Sequence, residues 1–278
     1  MRELSLFTGA GGGLLGTKLL GWEPVGYVEW NEYCQQVIAA RIRDGYLPAA
    51  PIFTDVREFV QSGAAEQYRG FADVVSAGFP CQPFSVAGKQ AGADDERNMW
   101  PATADVIRIV QPRSVLLENV PGLISSGYFG TVIGDLADMG YVGRWGVISA
   151  ADCGAPHKRS RVWIVGHSSQ SVAKCSERDF DGACGVRSSV TSFESGSTKA
   201  LADSNSIGSS GSWWAIDPGS STEGTDWEVD RAFHESRWGI EPGLGRVVNG
   251  VANRVDRLKA IGNGQVSSVA RRAYECLA

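Results

Sequence analysis

Apolar positions in this chain fall into short runs that stop at polar or glycine-rich breaks. The first run, residues 4–7, ends at a glycine stretch over 9–13, after which Leu14, Leu15, Leu19 and Leu20 recur at helical spacing. This pattern predicts a strand, a tight loop and a helix. Residues 25–28 predict a second strand and 31–41 a helix. Three further strands are predicted at Ile52–Phe53, 73–77 and 114–117, with a helix over 101–110 that stops before Pro112. Residues 145–149 and 161–165 predict another strand pair, antiparallel, and 266–277 a closing helix. Strands alternating with helices predict a doubly wound, Rossmann-like α/β fold whose parallel sheet is covered on both faces. In such sheets ligands bind outside the carboxyl ends of the strands, and the glycine-rich and polar motifs of this chain fall there.

After about Gly166 the pattern changes. Residues 167–225 are rich in Ser and Gly and lose apolar periodicity, yet Trp213, Trp214, Trp227 and Trp238 lie in or near them. A small, loop-rich second domain with aromatic anchors is the expectation, with a partly disordered insertion as the alternative. No apolar run is long enough to span a bilayer, and the opening MRELSLFTGAGGG lacks the regions of a signal peptide. A cytoplasmic protein is therefore expected. The six cysteines form no CxxC pair and no cluster with zinc-ligand spacing, so reduced thiols and no bound metal are expected. The net charge of −5 argues against a nucleic-acid binder, but its distribution does not. His157, Lys158, Arg159 and Arg161 form a basic group, and Arg231, Arg237, Arg246, Arg254, Arg257, Lys259, Arg271 and Arg272 follow with few acids between them. A basic face on an acidic protein fits this arrangement as well as solvated surface arginines do.

The chemistry begins at FTGAGG. Glycines let the backbone turn sharply and approach a ligand, and the helix that follows offers free N–H groups to a phosphate or carboxylate. Gly11, Gly13 and Gly16 also satisfy GxGxxG, so this loop alone admits a dinucleotide. Glu29, at the end of the second strand, is placed to bind ribose hydroxyls, and Trp30 to stack on adenine. Asp55 fits either an adenine contact or a helix N-cap. In GFPCQPFS, Cys81 stands between prolines directly after a strand, which holds it at the cleft. A helix N-terminus or an arginine nearby would raise its thiolate fraction. ENVPG places Glu118 after the fifth strand, facing the same cleft. HKRSR brings Arg159 and Arg161 to one face if the segment is a strand. Gly262-Asn263-Gly264 predicts a turn before the last helix.

These pieces, FTGAGG, VEWNE, TDV, GFPCQPFS, ENVPGL, HKRSR and IGNG, occur in the order seen in bacterial and phage DNA cytosine-5 methyltransferases, which this chain resembles over about residues 1–166 and its last two dozen. The resemblance implies a catalytic and cofactor-binding domain at 1–166 plus 258–278, with a target-recognition domain inserted at 167–257. It implies S-adenosylmethionine as cofactor, bound by Phe7, Gly9, Gly11, Glu29, Trp30, Asp55, Val56, Gly78, Pro80 and Asn263. Cys81 would be the nucleophile, Glu118 the group acting at cytosine N3, and Arg161 the ligand of the base's O2. Arg159 would help position the site, and Ser85 and Arg97 would lie on a loop that meets DNA. The implied substrate is a cytosine flipped out of duplex DNA. Implied too are a monomer, work in a prokaryotic or phage-infected cell, and a cognate restriction endonuclease as functional partner. The chain departs from the family at His157, where glutamine is usual. Three rivals remain at this level: a tRNA cytosine-5 methyltransferase, a silent DNA-binding regulator, and a nicotinamide-dependent dehydrogenase, which leaves PCQPFS and ENV without a role.

Overall fold

The computed structural model describes residues 1–80, 98–169 and 252–278. Cys81, Ser85 and Arg97 lie outside the described residues, as does most of the expected recognition domain at 167–257.

Among the described residues, seven strands form one sheet: β1 (Arg2–Leu6), β2 (Glu23–Val28), β3 (Ile52–Phe53), β4 (Val74–Ala77), β5 (Ser114–Asn119), β6 (Tyr141–Ile148) and β7 (Arg161–Ser168). Their order is β3-β2-β1-β4-β5-β7-β6. The pairs β1–β2, β2–β3, β1–β4 and β4–β5 are parallel, whereas β7 runs antiparallel to both β5 and β6. The chain builds outward from β1 to β3, then crosses back and builds the other way from β4. The connections therefore diverge between β1 and β4, and a ligand crevice opens at such a switch point.

The helices follow from side-chain spacing and caps. Helix α1 (Gly12–Leu19) leaves the glycine loop, and α2 (Glu32–Arg43) is capped by Asn31, whose side chain accepts from the Cys34 N–H at 3.0 Å. Helix α3 (Val56–Gln61) is capped by Asp55, and a 3₁₀ turn follows at Ala65–Tyr68. Then come α4 (Trp100–Val110), α5 (Gly122–Ser125), α6 (Phe129–Asp138), α7 (Arg254–Asn263) and α8 (Ser267–Leu277).

Alternation along β1 sorts the two faces. Leu4 and Leu6 join the larger core with Phe59, Val106, Ile107, Ile133 and Leu136 of α3, α4 and α6. The opposite face carries a second core, in which Val74, Leu116, Trp163 and Val165 of the sheet meet Val269, Ala270, Ala273 and Leu277 of α8. Those four α8 positions recur at helical spacing, with Arg271 and Arg272 exposed on the other side. The last helix thus lies beside α1 and completes the layer that covers the sheet. Close approach is possible because Gly16 of α1 has no side chain: a Cβ there would collide with the Ser267 carbonyl and stand 2.8 Å from the Ala270 Cβ.

Two expectations need correction. The expected turn at Gly262-Asn263-Gly264 is mostly helix, since α7 runs through Asn263 and the chain breaks only over 264–266. Arg159 is not on a strand with Arg161, because β7 begins at Arg161 and Arg159 has a left-handed φ of 30°.

Candidate active site

The loop leaving β1 is built from backbone conformations that side chains rarely adopt. Phe7, Gly9 and Gly11 have φ of 53°, 59° and 89°. The loop is pinned across to β2 by Glu29. One carboxylate oxygen accepts from the Gly9 N–H at 2.6 Å and the other from the Asn31 N–H at 2.7 Å. Burial raises the pKa of Glu29, and the two backbone hydrogen bonds oppose that rise. Each oxygen keeps a lone pair, so the residue can still accept from ligand hydroxyls. Trp30, beside it, is 76% exposed. Asp55 realises the cap reading, its Oδ1 accepting from the Arg57 N–H at 2.6 Å, with Val56 buried behind it.

A cleft of about 490 Å³, its open mouth included, lies at the switch point. Phe7 and Gly9 line it from β1, Gly78 from β4, Glu118 from β5, and Asn263 and Gln265 from the returning C-terminal segment. Gly11, Glu29, Trp30, Asp55, Val56 and Pro80 do not line it, although Glu29 reaches its rim through the Gly9 N–H. Deeper in, Glu3 accepts from the hydroxyls of Thr17, at 2.6 Å, and Ser76. Burial pushes its carboxyl up to about 7 against those two hydrogen bonds.

At the cleft's other end, Glu118 is the focus. Register pairs Ala77 of β4 with Leu117 of β5, so the segment leading into Cys81 leaves the sheet beside Glu118. A Cβ on Gly78 would stand 3.1 Å from Glu118 Oε2. Arg161 Nε meets Glu118 Oε1 at 2.9 Å, with the carboxylate side chain only 11% exposed. Burial raises the Glu118 pKa, and Arg161 is the largest of the opposing influences. Asn119 is buried, and its Nδ2 donates to the Phe79 carbonyl at 3.2 Å. The asparagine of ENV thereby holds the chain just before Pro80 and Cys81. Arg159 turns the other way. Its Nη2 donates to the carbonyls of Gly262 at 2.8 Å and Gly264 at 2.6 Å, tying the C-terminal segment to the site.

The structure therefore brings together Phe7, Gly9, Gly78, Glu118, Arg161 and Asn263, with Arg159 acting from behind. Sequence reasoning missed Gln265 and Glu3. Gln265 follows IGNG directly, and its Nε2 lies 3.5 Å from Glu118 Oε2. Only the tertiary return of α7 and α8 reveals that proximity. Among the described residues, no group of His, Cys, Asp and Glu is arranged to hold a metal ion, and no helix is long and apolar enough to cross a membrane.

Comparison with known proteins agrees with this geometry. The family model of C-5 cytosine-specific DNA methylases matches residues 1–231. Type II methyltransferase M.NgoBI of Neisseria gonorrhoeae is 36% identical over 171 residues, covering 60% of this chain and 50% of the relative. Type II methyltransferase M.HpaII of Haemophilus parainfluenzae is 34% identical over 177 residues, covering 61% of this chain and 47% of the relative. A solved E. coli structure described as a DNA modification methyltransferase encoded within a prophage has a TM-score of 0.50 and 26% identity, covering 62% of this chain and 48% of that one. The chain spans about half the length of the curated relatives it matches. With the match covering most of its sequence and the strand-end motifs assembled around one cleft, the chain belongs to the C-5 cytosine-specific DNA methylase family.

Proposed function

We propose that this protein transfers a methyl group from S-adenosylmethionine to C5 of a cytosine flipped out of duplex DNA, with Cys81 as nucleophile. The observation that carries the reading is the buried Glu118–Arg161 pair beside the segment that delivers Cys81. The cleft suits the cofactor. Its glycine loop has the left-handed turns needed for close backbone approach, and Glu29 supplies acceptors for ribose hydroxyls at the neighbouring strand end. Phe7, Gly9, Gly11, Gly78, Pro80 and Asn263 would hold it with Glu29, and Trp30, Asp55 and Val56 would frame the adenine. The cofactor supplies an electrophilic methyl on a sulfonium, which departs as a neutral thioether.

The protein's own groups do the rest. The Cys81 thiolate forms a bond to C6, and the displaced electron pair makes C5 nucleophilic. The Glu118 carboxyl gives a proton or hydrogen bond to N3 and so offsets the developing charge. Burial keeps that carboxyl more readily protonated than an exposed glutamate. Arg161 would fix Glu118 and reach the base's O2. After C5 takes the methyl, a base removes the C5 proton, the C6–sulfur bond breaks and aromaticity returns. Residues 167–257 would serve as the target-recognition domain between the two parts of the catalytic domain, 1–166 and 258–278. Ser85 and Arg97 would contact DNA. We read the protein as a monomer of the prokaryotic or phage-infected cytoplasm, accompanied by a restriction endonuclease.

The test is incubation with methyl-labelled cofactor and mixed-sequence duplex DNA, in parallel with tRNA. Wild type should yield 5-methylcytosine in DNA, and Cys81→Ser should lose at least about a thousandfold of the rate, the order expected on losing a covalent nucleophile. Label entering tRNA faster than DNA would overturn the substrate assignment.

A further inference from the structure

Gln265 occupies a notch formed by glycines at the start of α1 and just after β4. A Cβ on Gly13 would collide with its side-chain oxygen, one on Gly12 with its backbone carbonyl, and one on Gly78 would come within 2.7 Å of its Nε2. The segment is anchored by the Ser267 hydroxyl, which donates to the Gly12 carbonyl at 2.7 Å, and by the Arg159 guanidinium on Gly264. So placed, the amide nitrogen lies 3.5 Å from Glu118 Oε2, while Arg161 holds Oε1 at 2.9 Å. Arg161 thus leaves Oε2 as the oxygen able to carry the proton toward a base, and Gln265 addresses that same oxygen.

We propose that Gln265 is a positioning residue for Glu118, orienting its carboxyl and setting how firmly Oε2 holds a proton. The inference rests on the reading of Glu118 as the group that acts at the base. The amide also touches both sides of the cleft, since its notch is formed by the first residues of α1 (Gly12, Gly13) and by the segment leading into Cys81 (Gly78).

The test reads the carboxyl directly. Protein labelled with ¹³C at glutamate carboxyls is titrated by NMR, and the Glu118 signal is assigned by its loss in Glu118→Gln. Gln265→Met keeps the side chain's length but removes the donor, and the midpoint should rise by about half a pH unit, as expected for one long hydrogen bond to a charged oxygen. Gln265→Glu sets a second carboxyl beside the first, and the pair should show a midpoint raised further than in Gln265→Met. Thermal unfolding confirms that the variants fold, and Gln265→Asn, with a shortened reach, carries the test if Gln265→Met does not. In methyl transfer, Gln265→Met should lower kcat roughly threefold to tenfold while the KM for S-adenosylmethionine moves less than about twofold. A midpoint unchanged in folded Gln265→Met, or a Gln265→Glu midpoint no higher than that of Gln265→Met, overturns the inference. Midpoints that shift as stated in the variants, alongside a wild type that methylates nothing, would support the amide–carboxyl pairing and overturn the methyltransferase reading instead.

Discussion

Glu118 and Glu3 are both acids that burial makes harder to ionise, but their neighbours separate their roles. Glu118 faces a guanidinium, whereas Glu3 accepts from the hydroxyls of Thr17 and Ser76 and is 1% exposed. Replacing Arg161 by Gln removes the largest influence that favours ionised Glu118, so its pKa should climb further. Methyl transfer should fall about a hundredfold or more, the scale of losing one preorganised electrostatic partner, with cofactor binding by calorimetry nearly unchanged. For Glu3 the consequence is stability. Its folded pKa of about 7 lies above the ordinary 4.5. The folded state therefore holds the proton more tightly, and stability is fully present below about 4.5 and declines as pH rises toward 7. Glu3→Gln should remove that decline, gaining at most on the order of 3 kcal/mol above neutrality and nothing at pH 4, as read by denaturant titration at both values. Glu118 and Arg161 could be singled out in the sequence because polar groups at strand ends stand out against apolar runs, and the structure pairs them. Glu3 and Gln265 did not stand out, because each acquires its meaning from partners distant in the chain.

At the scale of elements, the strands were readable because each is a short apolar run, and the expected antiparallel pair is present as β6 and β7. Strand β6 begins earlier than expected, at Tyr141, and its first residues were not legible because Gly143 and Arg144 interrupt the apolar pattern that marks a strand. Gly143 is required there by contact: a Cβ would collide with the Val165 carbonyl of β7. Helix α6 has buried Phe129, Val132, Ile133 and Leu136 at helical spacing, yet Gly130 and Gly134 weaken its signal. The GNG stretch reads as a turn by composition, but Arg159 satisfies the carbonyls of Gly262 and Gly264 at the helix end, which lets α7 continue through Asn263. The same closeness makes Gly16 sensitive. Gly16→Ala should force α1 and α8 apart and cost about 1–3 kcal/mol, the range for overpacking. Chemical denaturation should show that loss, and an unchanged midpoint would mean the two helices do not meet as described.

For the whole molecule, the sheet is closed by residues 267–277. Helix α8 covers Val74, Leu116, Trp163 and Val165 of the sheet, and Trp22 meets Tyr274 edge-on at 4.7 Å between ring centroids. The glycine loop, the Glu118 carboxyl and the Arg159 guanidinium each bond to the segment between α7 and α8 or to the ends that flank it. Fold and site therefore depend on the same returning piece, and removing it should not leave a weakened enzyme with an intact sheet. A chain ending before Arg254 would expose the apolar face that α8 covers, a penalty of many kilocalories at about 25 cal/mol per Å² uncovered, against the 5–15 kcal/mol that stabilises a typical domain. The truncated chain should show no cooperative thermal transition and no cofactor binding by calorimetry. A cooperative melt in that chain would mean that the sheet keeps a core without α8, and the role of the last helix in building the cleft would fall.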